Sequence, residues 1–237
     1  MSPQLFRRQL DAGAWGMTFA NVFQLRLGVL AGVRRALIAN QVHTAPDLDG
    51  LSTLLAGHAG LRVAFLVDSM AQLRQIEAWR ASQPQSPVFE VLLELGVDGG
   101  RTGMRPADDA LALCRALRAS AAVRLVGIEC YEGLNVSGDI ADIEAAADAL
   151  MTRVNALALA CDDANLFETD EVIVSAGGSA IFDLVAARLR PALARPLRGI
   201  LRSGCYVTHD HGHYRRLVHQ LAQRCGCADE LQPALEV

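Results

Sequence analysis

Short apolar runs alternate along the chain with longer stretches in which apolar residues recur every three or four positions. The runs are Trp15 to Ala20, Ala36 to Asn40, Val63 to Val67, Phe89 to Leu95, Val123 to Cys130, Val172 to Ser175 and Leu197 to Arg202. Each has strand length, and each is too continuously apolar for a sheet with one wet face. The pattern therefore predicts seven strands buried on both sides. The stretches between them read as helices with recognisable ends. Ser2-Pro3 precedes the stripe Leu5, Phe6, Leu10 and Gly13 closes it, which predicts a capped helix. Asn21 is placed to cap a second helix that stops at Gly32, and Pro46 to His58 reads as a third. Ser69 with Gln72 three residues on forms a capping box for a helix through Trp79. Further helices are expected at Pro106 to Arg118, Ile140 to Cys161, Ala180 to Leu189 and Tyr214 to Cys225.

Regular alternation of buried strand and helix, with no linker of domain-boundary character, implies one parallel sheet covered by helices. Seven strands are one short of a closed barrel, and the chain opens with a helix. The expected fold class is thus α/β, a (β/α)8 TIM-type barrel missing its first strand. On that reading the barrel domain covers 1–231. The turns after Val172–Ser175 and Leu197–Arg202 then follow barrel strands seven and eight, where such barrels frequently hold phosphate.

Composition narrows the chemistry. All 22 basic residues are arginine, so lysine chemistry is excluded within these 237 residues. A net charge of −4 argues against a nucleic-acid partner, which needs clustered positive charge. No apolar run has membrane-spanning length, and SPQLFRRQL is not a signal peptide. Six scattered cysteines without an export signal fit a reduced, cytoplasmic protein. Cys225-Gly-Cys227 has no second pair at zinc spacing and reads as thiols near a helix end.

Two strand ends carry the candidate site. Ala176-Gly-Gly-Ser179 leads into a helix, with Gly178 allowing close backbone approach and Ser179 set to cap; Ser203-Gly204-Cys205-Tyr206 repeats the design. Glycine, hydroxyls and free helix N–H groups suit a phosphate, although a tight turn with a capping serine explains each motif alone. His209-x-His211-x-His213 could place three rings on one side of an extended segment, or form a solvated loop. Arg101, in the glycine-rich loop after the Phe89 run, suits a carboxylate or a ring nitrogen, or else loop carbonyls. Tyr131 could line a ring or pack at the rim. Gln41 and Asp68 also end strands but carry little information on their own.

Taken together, Gly13-Ala-Trp-Gly-Met-Thr18, Ala39-Asn-Gln41, Val67-Asp-Ser69, Glu94-Leu-Gly-Val-Asp-Gly-Gly-Arg-Thr-Gly103, Glu129-Cys-Tyr-Glu-Gly133, Ser175-Ala-Gly-Gly-Ser-Ala180 and Leu201-Arg-Ser-Gly-Cys-Tyr-Val-Thr-His-Asp210 resemble the D-threonine aldolase/D-serine dehydratase group. These are fold-type III, alanine-racemase-like pyridoxal-phosphate (PLP) enzymes, and the bacterial amino acid deaminase branch is most similar. The resemblance implies a PLP-dependent lyase acting on a D-serine- or D-threonine-like amino acid, by deamination or aldol cleavage. It implies Tyr131 near the pyridine ring, Arg101 facing the ring nitrogen, and Ser179, Gly204 and Cys205 around the phosphate, with Gly178, Ser203 and Tyr206 as neighbours. It also implies a cytoplasmic homodimer and a divalent metal, zinc or manganese, held by a C-terminal β domain.

Two departures stand out. The group's Schiff-base lysine, in a Pro-His-x-Lys-Thr segment just ahead of the position matching Met1, is absent, so no catalytic residue is assigned. The C-terminal β domain is also absent, residues 232–237 being at most its start. The competing expectation is a non-catalytic barrel that binds a phosphorylated ligand, or PLP non-covalently.

Overall fold

The computed structural model describes residues 2–131, 140–177, 181–204, 207, 218–222 and 224. Every expected strand is present: β1 (Met17–Phe19), β2 (Arg35–Gln41), β3 (Arg62–Val67), β4 (Phe89–Leu95), β5 (Val123–Cys130), β6 (Val172–Ala176) and β7 (Leu197–Leu201). They form one sheet in chain order, and each neighbouring pair is parallel. Parallel neighbours require crossover connections. Helices α2 (Val22–Leu30), α3 (Ala45–Gly57), α4 (Met70–Ser82), α5 (Ala107–Ala119) and α6 (Ile140–Asp163) supply them, with the short α7 (Phe182–Ala186) last. Helix α1 (Pro3–Asp11) precedes β1, and residues 218–222 are again helical.

The strands bury both faces, as their near-continuous apolar runs require. One face packs on the helices through Phe19, Ile38, Phe65, Val91, Ile128 and Val174. The other gathers Leu37, Ala64, Leu66, Leu92, Val126 and Ile173 into a second cluster, with Trp15 and Ile200 against it. In a flat sheet Leu37 on β2 and Ile173 on β6 would lie about 19 Å apart, at ~4.8 Å per strand. Their shared cluster means that the sheet curls into most of a barrel. Its two edge strands face each other across a cleft of about 870 Å³, lined by Trp15, Met17 and Thr18 on one side and Ile200, Leu201 and Arg202 on the other. Leu5 and Phe6 of α1 form part of its wall. The fold is a partial TIM barrel of the expected class, open at one seam.

A register shift in the β4–β5 ladder sets the geometry of the mouth. Val91 pairs with Leu125 but Leu92 pairs with Gly127, so Val126 is an extra residue. A bulge of this kind re-aims everything after it. Val126 joins the inner cluster and Ile128 the outer one, so Glu129, rather than Cys130, turns inward. Gly127 is required at the bulge, because a Cβ there would lie 1.9 Å from the Ile173 carbonyl oxygen.

The helix ends follow the sequence signals with small differences. Asn21 and Ser69 accept from the backbone N–H of Gln24 and Gln72, at 2.9 and 3.2 Å. In both caps the glutamine Oε1 accepts from the residue before the cap, Ala20 or Asp68, so the box closes one residue early. Ser2 stands at the N-cap of α1 without a capping bond, its hydroxyl donating to Gln4 Oε1 instead. The expected Ala180–Leu189 helix is only Phe182–Ala186 among the described residues.

Candidate functional site

Two positions beyond the inner apolar cluster the barrel lining turns polar. Leu66, Leu92, Ile173 and Ile200 are followed at i+2 by Asp68, Glu94, Ser175 and Arg202, with Gln41 and Glu129 at neighbouring strand ends. Alternation along the strands puts all of these at the C-terminal mouth, the face that carries function in such barrels.

They form two networks. In the first, Gln41 Nε2 donates to Asp68 Oδ2 at 3.0 Å and to Glu94 Oε2 at 2.6 Å, while the Thr102 hydroxyl donates to Glu94 Oε1 at 2.5 Å. Glu94 is 2 % exposed. Burial pushes its carboxyl above the ordinary glutamate value and the Asp68 charge adds to this, against the pull of Thr102, Gln41 and Arg202.

In the second, Arg202 spans three strand ends. It pairs with Glu129 Oε1, donates to the Cys130 carbonyl at 3.1 Å, and donates to Ser175 Oγ at 2.7 Å. Ser175 in turn donates to the Ile200 carbonyl at 2.9 Å. The ion pair is nearly dry, its side chains 5 % and 1 % exposed. Tyr131 directly follows Cys130, and Ser203 directly follows Arg202. One guanidinium therefore brings the chain leading to each of these candidates to the same part of the mouth.

The glycine-rich loop after β4 folds back on itself. Gly96 N–H donates to the Met104 carbonyl at 3.0 Å, and Met104 N–H to the Glu94 carbonyl at 2.9 Å. Gly103 has φ +83°, and a Cβ on it would lie 2.5 Å from Gly96 N. On this loop the exposed Arg101 places its guanidinium carbon 4.3 Å above the Tyr131 ring centroid, a cation–π contact. Two residues singled out from sequence are thus in direct contact.

At the end of β7, Ser203 Oγ is buried and has no hydrogen-bond partner among the described residues. Gly204 beside it is open, with nothing within 4 Å of where a Cβ would stand. Arg202, Ser203 and Gly204 all line the 870 Å³ cleft. A buried hydroxyl without a partner, next to bare glycine backbone and open space, is chemistry that an anionic oxygen would satisfy. The residues present fit a phosphate.

Gly178, Ser179, Cys205 and Tyr206 lie outside the described residues, as do His209, His211, His213 and the Cys225-Gly-Cys227 pair. Among the described residues no group of three His, Cys, Asp or Glu side chains could hold a metal ion. Cys114, Cys130 and Cys161 are buried thiols outside any disulfide, and a hydrogen bond from Cys161 together with burial pushes the Cys114 thiol up, so it stays protonated.

Sequence reasoning passed over Glu94, Glu129 and Arg202 as site residues. A signal was present: each is a charged residue at the C-terminal end of a largely apolar strand, two positions past an apolar one or directly after it, and an unsolvated charge there needs a partner.

Fold and mouth together define a parallel α/β barrel with a polar C-terminal pocket. The chain matches the family described as Alanine racemase, N-terminal domain, over residues 4–201. It belongs to that family, the fold-type III PLP group. No curated protein sequence matches. Among solved structures it is similar to the D-threonine aldolase from Filomicrobium marinum, with 25 % identity and TM-score 0.64 over 83 % of this chain and 50 % of that one. It is also similar to the D-threo-3-hydroxyaspartate dehydratase from Delftia sp. HT23, with 27 % identity and TM-score 0.59 over 84 % of this chain and 50 % of that one. The diaminopimelate decarboxylase from Helicobacter pylori complexed with L-lysine shares the fold, with 13 % identity and TM-score 0.58 over 85 % and 54 %. The chain spans about half the length of these relatives.

Proposed function

We propose that this chain is the cofactor-binding barrel of a PLP-dependent lyase acting on a β-hydroxy D-amino acid. Family membership and similarity to a D-threonine aldolase and a D-threo-3-hydroxyaspartate dehydratase support the reading. The observation that carries it is the mouth itself: Arg101 stacked on Tyr131, with a Ser203 hydroxyl that has no partner among the described residues and open Gly204 on the strand end that Arg202 ties to Cys130.

On this reading Ser203 and Gly204, with Gly178, Ser179, Cys205 and Tyr206, hold the phosphate. Tyr131 lines the pyridine ring, and Arg101 offers its charged donors to the ring nitrogen. When bound, PLP supplies an electron sink for bonds broken at the substrate's Cα. Burial and the neighbouring Asp68 charge raise the Glu94 carboxyl above its ordinary value, while Gln41 and Thr102 donate to its two oxygens and hold it in place. The apolar inner cluster lies one layer below and forms the floor of the mouth.

The chain carries no lysine, so it binds PLP non-covalently and does not turn over substrate by itself. The lysine-bearing strand and a metal-holding β domain, whose zinc or manganese would supply a Lewis acid for the β-hydroxyl, belong to other parts of a longer homodimeric cytoplasmic enzyme, this chain's barrel domain running over 1–231. The cleft between β1 and β7 has room for such a strand. A second reading, favoured by the missing lysine, is a non-catalytic barrel that carries PLP or another phosphorylated ligand.

The test is a PLP titration of the purified chain followed by borohydride reduction. Saturable PLP binding, weaker for pyridoxal and leaving no covalent adduct in the barrel, is the expected result. Equal affinity for pyridoxal and PLP would refute the phosphate assignment. Turnover of D-threonine by these 237 residues alone would refute the fragment assignment.

A further inference from the structure

Two arginines outside the contacts described so far act on the glycine-rich loop. Arg105 donates from Nε to the Val97 carbonyl at 3.2 Å, from Nη2 to the Gly100 carbonyl at 2.6 Å, and from Nη1 to the Gly103 carbonyl. Arg153, on α6, donates from Nη1 to the Gly96 carbonyl at 2.8 Å and from Nη2 to the Arg105 carbonyl. All five bonds end on backbone carbonyls between 96 and 105, and among the described residues neither arginine sits in a salt bridge with a carboxylate. Two cations without acidic partners are more than a surface loop needs to stay folded. Charged donors hold carbonyls more firmly than neutral ones, and a planar guanidinium can bridge two acceptors in a fixed geometry. Arg101 is exposed and long, and the Tyr131 ring 4.3 Å away is its recorded contact. Its reach is therefore set by the backbone beneath it.

We infer that Arg153 and Arg105 are positioning residues: they brace the Gly96–Gly103 loop between α6 and β4 so that Arg101 stands over Tyr131. The brace links a helix on the outside of the barrel to the side chain at its mouth. Arg153 bridges Gly96, where the loop leaves β4, to Arg105, where it returns toward α5. Arg105 gathers three carbonyls between. Any consequence for PLP rests on the function proposed above; the placement of Arg101 does not.

The test separates the two. In chain labelled with ¹³C-arginine, the Arg101 side-chain resonance is assigned by its loss in Arg101→Met and is shifted upfield by the Tyr131 ring current. Tyr131→Leu removes the shift. Arg153→Met is expected to remove most of it, and so is Arg153→Lys, whose single nitrogen cannot bridge two carbonyls. Near-ultraviolet circular dichroism verifies that each variant is folded, and Arg105→Lys gives an independent second variant. An unchanged Arg101 shift in folded Arg153→Lys and Arg105→Lys would overturn the inference. For PLP, Arg153→Lys is expected to weaken binding by about the factor that Arg101→Met does, ~3- to 10-fold, with no further loss in the double variant. Additive losses would overturn the inference. A wild-type chain that fails to bind PLP would overturn only the proposed function, since the resonance shift needs no cofactor.

Discussion

Replacing Arg202 by leucine removes a cation that pairs with Glu129 in a nearly dry site, where the two side chains are 5 % and 1 % exposed. Leaving one member of a buried pair behind costs about 3–5 kcal/mol. A domain of this kind has roughly 5–15 kcal/mol in total. The Cys130 carbonyl loses one donor, about 1 kcal/mol, while Ser175 keeps its bond to Ile200. The double variant Glu129→Leu/Arg202→Leu strands no charge, so it should return to within ~2 kcal/mol of wild type. Urea unfolding at neutral pH of the wild type, both single variants and the double gives the coupling energy directly. A coupling below about 1 kcal/mol, or a double variant as unstable as Arg202→Leu, would show that the pair does not hold the ends of β5, β6 and β7 together.

Three further outcomes follow from the same geometry. Glu94 has its folded-state value raised above 4.5 by burial, so the native state binds more protons than the unfolded one. Its favourable contribution is complete below the unfolded value and is lost as pH rises through the folded value. Glu94→Gln should therefore gain stability relative to wild type as pH rises from about 4.5; parallel urea midpoints across pH would contradict this. Gly127→Ala places a methyl 1.9 Å from the Ile173 carbonyl oxygen and should destabilise by about 3 kcal/mol; a loss under about 1 kcal/mol by urea unfolding would count against the bulge account. Arg101→Met should weaken PLP binding by fluorescence titration about 3- to 10-fold with little change in urea midpoint, because Arg101 is exposed.

The fold was legible because its strands are uniformly apolar and its helices are punctuated. Val63 to Val67 and Phe89 to Leu95 could only be buried strands, and Asn21, Ser69 and Gly32 mark helix ends that form as expected. The site was partly legible. Arg101, Ser203 and Gly204 follow strand ends in glycine-bearing turns, and Tyr131 follows β5. The common location of Tyr131 and Ser203 depends on Arg202, whose partners Glu129 and Cys130 lie more than seventy residues away, beyond any local pattern. The bulge at Val126 was equally hidden. Leu125, Val126 and Ile128 are all apolar, so the sequence does not say which of them is extra, yet that residue decides whether Glu129 or Cys130 faces inward. Nothing in the sequence marks Arg105 and Arg153, because their partners are backbone carbonyls, which leave no trace in the side-chain sequence.

The most direct measurement is a crystal structure of the chain soaked with PLP. The account predicts phosphate density within hydrogen-bond reach of Ser203 Oγ and the Gly204 backbone, with the pyridine ring against Tyr131 and its nitrogen toward Arg101. Phosphate density elsewhere, with Ser203 Oγ still unpartnered, would contradict it.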